Sequence, residues 1–158
     1  MKAFIAALCS LSVGHTAWAT CSDETVTIYG DWGQANFSVD IADDHQERAR
    51  GLMFVEDMPT MSGMLFIYER PQPVSFWMKN TLIPLDMIFT APDGEILSIH
   101  EGAVPGDLTP IPGGDAVQMV LEVNGGMVSR LGIEIGDVMQ HPSFGADAIR
   151  PCEEKTDS

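Results

Sequence analysis

Residues 74–90 read Val74-Ser75-Phe76-Trp77-Met78-Lys79-Asn80-Thr81-Leu82-Ile83-Pro84-Leu85-Asp86-Met87-Ile88-Phe89-Thr90. Two apolar and aromatic runs, Val74 to Lys79 and Leu85 to Thr90, flank the segment Asn80 to Pro84. Runs of this length and composition bounded by turn residues are expected as strands. Pro92-Asp93-Gly94 then turns the chain into a further run, Glu95 to His100. Strands at intervals of about ten residues, separated by turn signals, predict a mainly β domain, a compact β-sandwich or barrel-like sheet.

Upstream, Thr25 to Tyr29 combines β-branched and aromatic residues, and Gln34 to Ile41 places Phe37, Val39 and Ile41 on one face. A turn at Gly30-Asp31 joins this pair of expected strands. Asp43 to Arg50 offers an N-cap acid, acid in its first turn, base in its last and Gly51 as a stop, the pattern of one short helix. Gly63 to Tyr68 is expected as a buried strand closed by Pro71 and Pro73. Downstream, Gly102 to Gly114 is rich in Gly and Pro and is expected as the longest loop. Val117 to Val123 resumes as strand, Asn124 caps a short helix over Gly125 to Leu131, and Ile133 to Val138 ends in strand or turn. No internal repeat or linker divides the chain, so residues 20–150 read as one domain.

The composition agrees. A chain of 158 residues with 45% hydrophobic and 20% charged side chains is the size of one globular domain, and 15 Gly with 10 Pro favour turns over long helices. The net charge of −15 repels phosphate backbones and anionic lipid, so nucleic acid is not an expected partner.

Met1 to Ala19 has the form of a secretory signal, with Lys2 as the n-region, an apolar stretch from Ala3 to Val13, and Ala17-Trp18-Ala19 as the cleavage site. No later segment is apolar enough for insertion into a membrane after cleavage. The mature protein is therefore expected to be exported, periplasmic or extracellular. Cys9 leaves with the leader, and Cys21 and Cys152 remain near the two ends. In an oxidising compartment they are expected to form a structural disulfide; a redox pair and a thiol metal site are the alternatives. Residues 151–158 form a polar tail.

Several segments together are similar to one family. Arg48-Ala49-Arg50-Gly51-Leu52-Met53, Gly63-Met64-Leu65-Phe66, the stretch Phe76 to Phe89, Val120-Leu121-Glu122-Val123 and Gly132 to Asp137 resemble the uncharacterised prokaryotic domain of unknown function 192, DUF192. The resemblance runs from about Thr25 to Val138 and implies a small, mainly β, sandwich-like fold. It implies no activity. Val55 stands where the family usually has an Arg, and Asp115 where it usually has a Pro.

Chemistry-bearing residues concentrate near the quoted stretch. Trp77 offers an aromatic wall, Asn80 an amide, and Lys79 an ammonium suited to a carboxylate or phosphate, with Asp86 and Glu122 as acidic neighbours. Lys79 is the only Lys between the leader and the tail. These five residues form a candidate ligand-binding region, with residues 102–114 as its adjustable wall. The structural alternative is that Lys79 pairs with Asp86 or Glu122, Asn80 ties its own turn, and Trp77 fills the core.

The first functional reading is an exported binding or accessory module of the cell envelope, its partner a small molecule or an envelope protein and no resident cofactor implied. A second is a hydrolase or transferase acting on envelope material, with Lys79 as nucleophile or base and Asp86 or Glu122 as acid. Carboxylates raise a Lys pKa, which works against that chemistry. No Gly-x-Ser-x-Gly elbow or His-Glu-x-x-His stretch supports it, and His45, His100 and His141 are far apart. A third reading is copper handling through the spaced thioethers of Met58, Met61 and Met64. His100, Glu101, Asp107 and Asp115 near the long loop lack the alternating acids of a calcium loop.

Overall fold

The computed structural model describes residues 21–152. The expected leader, Met1 to Ala19, and the tail beyond Cys152 lie outside the described residues. The chain order is β1 (Thr25–Gly30), β2 (Gly33–Ala42), α1 (His45–Arg50), β3 (Ser62–Phe76), β4 (Leu85–Thr90), β5 (Ile96–Ala103), β6 (Ile111–Asn124), α2 (Met127–Leu131) and β7 (Val138–Gln140), followed by a 3₁₀ turn at Pro142–Phe144. The strands form one curled, half-barrel sheet in the order β5-β4-β6-β3-β2-β1-β7. Its two edges touch at one end through an antiparallel bridge between Glu95 and Val138, where the Ile96 N–H donates to the Asp137 carbonyl. This contact covers part of both exposed strand edges.

The barrel-like form is the one adopted, and its two faces each carry a core. Alternation along β6 sends Met119, Leu121 and Val123 inward, with Phe37, Leu65, Ile88 and Ile96. Val117 and Val120 point outward, into a second cluster with Phe66, Leu85, Met87 and Phe89. The inner core is capped by Met127 and Val128 of α2 with Met139 and Phe144. The outer cluster is covered by Leu52, Val55, Met58, Met78 and Ile83 from two irregular segments. Burial on both faces explains why all six residues of β4 are buried.

β2 and β3 pair in parallel, Val39 opposite Gly63, and α1 lies on the crossover between them. Asp44 caps α1 by accepting from the Gln46 and Glu47 N–H groups, and Gly51 at φ 49° ends it. An added Cβ at Gly51 would lie 3.1 Å from the Phe66 ring, so glycine allows the helix end to settle on that ring.

Four local expectations need correction. β3 continues through Pro71 and Pro73 to Phe76, and the missing N–H donors coincide with register shifts between Ile67 and Ser75. The expected strand Val74 to Lys79 therefore ends at Phe76. Beyond it, the Met78 N–H donates to Asp107 and the Gly106 N–H to Met78, which ties the chain to the next loop instead of a sheet neighbour. The loop expected over residues 102–114 is shorter, because Ala103 pairs with Leu85 and Ile111 with Phe76. Asn124 does not cap α2; Gly126 occupies that position, and the Asn124 amide donates to the Met58 and Pro59 carbonyls.

Cys21 and Cys152 are joined in a disulfide that ties the two ends of the described chain together. No helix among the described residues is long and apolar enough to cross a membrane.

Candidate functional site

A cavity of about 270 Å³ opens on the outer face of the sheet. One wall is the end of α1 and the following turn, Arg48 to Met53; a second is Phe66, Tyr68, Ser75 and Phe76 of β3; a third is Trp77, Lys79 and Thr81. Glu122 of β6 completes it. Phe66 and Phe76 meet edge to face at 5.0 Å and make the apolar side.

Cations gather at the opening. Lys79 Nζ lies 5.1 Å from the centre of the Trp77 ring, and the Arg48 guanidinium 5.0 Å from that of Tyr68. Arg48 is already committed: it donates to the Asp43 and Ile67 carbonyls and pairs with Glu69 at 3.2 Å, fixing α1 to β3. That is the sole ion pair among the described residues, so neither Arg50 nor Lys79 has a carboxylate partner there. Both are exposed.

Glu122 is the opposite case. It is only 4% exposed, set between Met64 of β3 and Met87 of β4 in register. Burial pushes its carboxyl up to about 8, so the group is mostly neutral at pH 7. No described residue hydrogen-bonds to its side chain, whereas every fully sealed side-chain polar atom among the described residues has a partner. The Glu122 carboxyl is therefore turned to the cavity it lines. Tyr68, beside it, has a raised pKa because of burial, partly opposed by Arg48 and reinforced by Glu122.

Of the five residues singled out by sequence, Trp77, Lys79 and Glu122 line this cavity; Asn80 and Asp86 do not. Trp77 is 49% exposed, a wall and not a core filler. Asn80 sits at φ 56° in the turn before Thr81, its amide near the Met53 sulfur and its carbonyl accepting from the Phe54 N–H at 2.8 Å. Asp86 is fully buried, and its two oxygens accept from the Gly102 and Val128 N–H groups at 2.8 and 2.9 Å. It pairs in register with inward-facing Val123, so it lies on the face of the sheet away from the cavity. The expected convergence of Lys79, Asp86 and Glu122 fails for this reason, and no Lys79 ion pair with either acid forms. Sequence reasoning missed Arg48, Arg50, Tyr68 and Phe76 as cavity residues; their signal was their place in the segments that resemble the family or adjoin it.

The other candidates disperse. Met58 and Met64 pack against the outer cluster while Met61 packs against the inner one, so the three sulfurs do not share one site. Asp107 accepts from the Thr109 N–H and hydroxyl, which lowers its pKa, and Glu101 accepts from Ser129. No cluster of three His, Cys, Asp or Glu suited to a metal occurs among the described residues. A larger groove of about 750 Å³ runs along β2 and β3 past Val55, lined by the exposed Glu24, Asp40 and Asp57. It contains no cation and no buried polar group, so it is an acidic, solvated surface. Val55 lines that groove and not the cavity.

Comparison with known proteins gives a family and no activity. The family model DUF192, described as Uncharacterized ACR, matches residues 26–141. A crystal structure of a protein of unknown function from Novosphingobium aromaticivorans DSM 12444 is 41% identical, with a TM-score of 0.72 over 73% of this chain and 83% of that one. A second, from Sinorhizobium meliloti 1021 and described provisionally as a transcription regulator, is 40% identical, with a TM-score of 0.73 over 78% of this chain and 97% of that one. No curated protein matches the chain.

Proposed function

Since the chain belongs to the DUF192 family, whose description assigns no activity, we propose from the site itself that the protein is a binding module that captures a small anion in the cavity between α1 and β3. One observation carries this reading: in a chain of net charge −15, three of the eight Lys and Arg side chains line one cavity. Two of them, Arg50 and Lys79, have no carboxylate partner among the described residues. The acid of the same cavity is mostly neutral, so it does not cancel them. A volume at the small end of ligand sites suits a compact organic or inorganic anion.

Export is part of the proposal. The signal-like pattern of Met1 to Ala19 and the pairing of Cys21 with Cys152 support a periplasmic or extracellular binding or accessory module of the cell envelope. Acid–base catalysis is disfavoured by Asp86, whose oxygens are committed on the opposite face. The regulator description of the Sinorhizobium protein suggests nucleic acid as a partner, but the strong negative charge of this chain opposes it.

The test is a melting experiment on the mature, oxidised chain with acetate or inorganic phosphate, using sodium chloride at matched ionic strength as the control. Capture raises the wild-type Tm with anion concentration and does so far less in the Arg50→Gln/Lys79→Gln double variant. Equal responses in both proteins, or none in either, would refute the proposal.

A further inference from the structure

The cavity has two polar poles of different character, and anion capture uses only one. Arg50 and Lys79 stand exposed at the rim, while Glu122 stands buried among Phe66, Met64 and Met87. Between them the lining is aromatic and apolar: Leu52, Phe66, Phe76 and the Trp77 ring. Ser75 and Thr81 add hydroxyl-bearing residues to the walls, but the buried group without a hydrogen-bond partner is Glu122. The Glu122 carboxyl faces the cavity without a protein partner, and such groups in folded proteins are generally satisfied by water or ligand. An anion held at the rim alone makes no use of the Glu122 carboxyl.

Resting on the anion-binding reading, we infer that the ligand is a small organic acid with an uncharged hydroxyl or carbonyl at the end remote from its carboxylate, and that Glu122 is the residue that selects for this second group. The carboxylate meets Arg50 and Lys79, the flat apolar body lies along Phe66 and Phe76, and the far polar group exchanges hydrogen bonds with Glu122. A neutral carboxyl both donates and accepts, so it serves a hydroxyl or a carbonyl equally. The charged and titratable groups that line the cavity with it are Arg48 and Arg50 of α1, Tyr68 of β3 and Lys79 of the following turn, and none of these cations offsets the effect of burial on the Glu122 carboxyl. Their positive sum favours an anion over an amine as the occupant. Selectivity of this kind is steep, because an analogue lacking the polar group leaves a buried site group unpaired.

The probes are 4-hydroxybenzoate and benzoate, which share a carboxylate and a ring and differ by one hydroxyl. Isothermal titration of the full oxidised chain at pH 7 is expected to show 4-hydroxybenzoate binding at least about tenfold more tightly. Glu122→Met, an apolar replacement for a site already flanked by Met64 and Met87, is expected to bind both acids alike, and Glu122→Gln to restore the preference. Equal binding of the two acids by the wild-type protein overturns the inference and leaves anion capture standing, a result that needs no variant to fold. A preference that persists in Glu122→Met overturns the role of Glu122. Failure of both acids to bind while inorganic phosphate binds overturns the organic-acid assignment alone; failure of every anion removes the underlying reading as well.

Discussion

Asp86 and Glu122 lie one register step apart on neighbouring strands and face opposite sides of the sheet, Asp86 paired with Val123 and Glu122 with Met87. The first has both oxygens filled by backbone N–H groups, and the second has no hydrogen-bond partner among the described residues. Two buried carboxyls on adjacent strands thus have different work. Asp86 fastens the end of β5 and the start of α2, while Glu122 is left for the cavity.

Removing the Asp86 carboxyl is expected to cost stability and to spare the cavity. Asp86→Ala strands two N–H groups beneath α2, for a loss of about 2–4 kcal/mol. Urea unfolding measures it, and anion capture by the fraction that remains folded should match wild type. A loss below about 1 kcal/mol would contradict the assigned role.

Glu122 makes stability fall as pH rises. Its pKa is higher in the folded chain, about 8 against an ordinary 4.5, so the folded state holds its proton in a range where the unfolded state has lost it. Relative stability is full below the ordinary value and is lost progressively up to about pH 8. From about 1.5 pH units below that folded value up to it, the loss is about 1.5 kcal/mol. Glu122→Gln is expected to be flat across that window and more stable at its upper end, as denaturant midpoints at the two pH values will show.

His141 acts at lower pH and with the opposite sign. Burial lowers its pKa below 6.5, partly opposed by the Asp23 carbonyl, and its ring bridges the Asp23 carbonyl and the Ser143 N–H. A neutral ring donates at Nε2 and accepts at Nδ1, and protonation removes the acceptor. Its contribution is intact above pH 6.5 and declines as pH falls below it. The stability advantage of wild type over His141→Asn should therefore narrow from pH 7 to pH 5.5. An advantage that widens would contradict the hydrogen-bond assignment.

Asn80 belongs to the turn and not to the lining. Its φ of 56° is a conformation that Asn and Gly adopt more readily than β-branched residues. Asn80→Gly is expected to change stability by less than about 1 kcal/mol with anion capture unchanged, and Asn80→Val to cost about 1–2 kcal/mol. Thermal melts of the two variants decide this.

Reduction of the Cys21–Cys152 disulfide, whose partners are 131 residues apart, is expected to lower stability by about 5 kcal/mol in the chain-entropy picture. The check is a melt with and without reductant at fixed pH.

Much of the architecture was legible because it is local. The acid-then-base order of residues 43–50 marks α1, and the continuous apolar run of β4 reflects burial on both faces. The disulfide followed from two cysteines left after a signal-like leader. What was not legible depends on register. Whether Asp86 or Glu122 faces the cavity turns on a single residue step between β4 and β6, which periodicity within one strand cannot fix. The extension of β3 through two prolines depends on bulges that only the partner strand β6 reveals. Trp77 and Lys79 were legible as aromatic and polar neighbours, but they were expected on a strand and stand in the irregular segment after β3. Arg48 and Arg50 were read as helix-ending charges, and the same placement carries them to the cavity rim.

Anion capture in the cavity is tested most directly by an NMR titration of the oxidised chain with acetate and inorganic phosphate, following backbone amide shifts. Saturable shifts are expected from at least one anion, confined to residues 48–53, 66–68, 75–81 and 122. Saturable shifts confined to the acidic groove at residues 38–41 and 57–63, or no saturable shift with either anion, would contradict it.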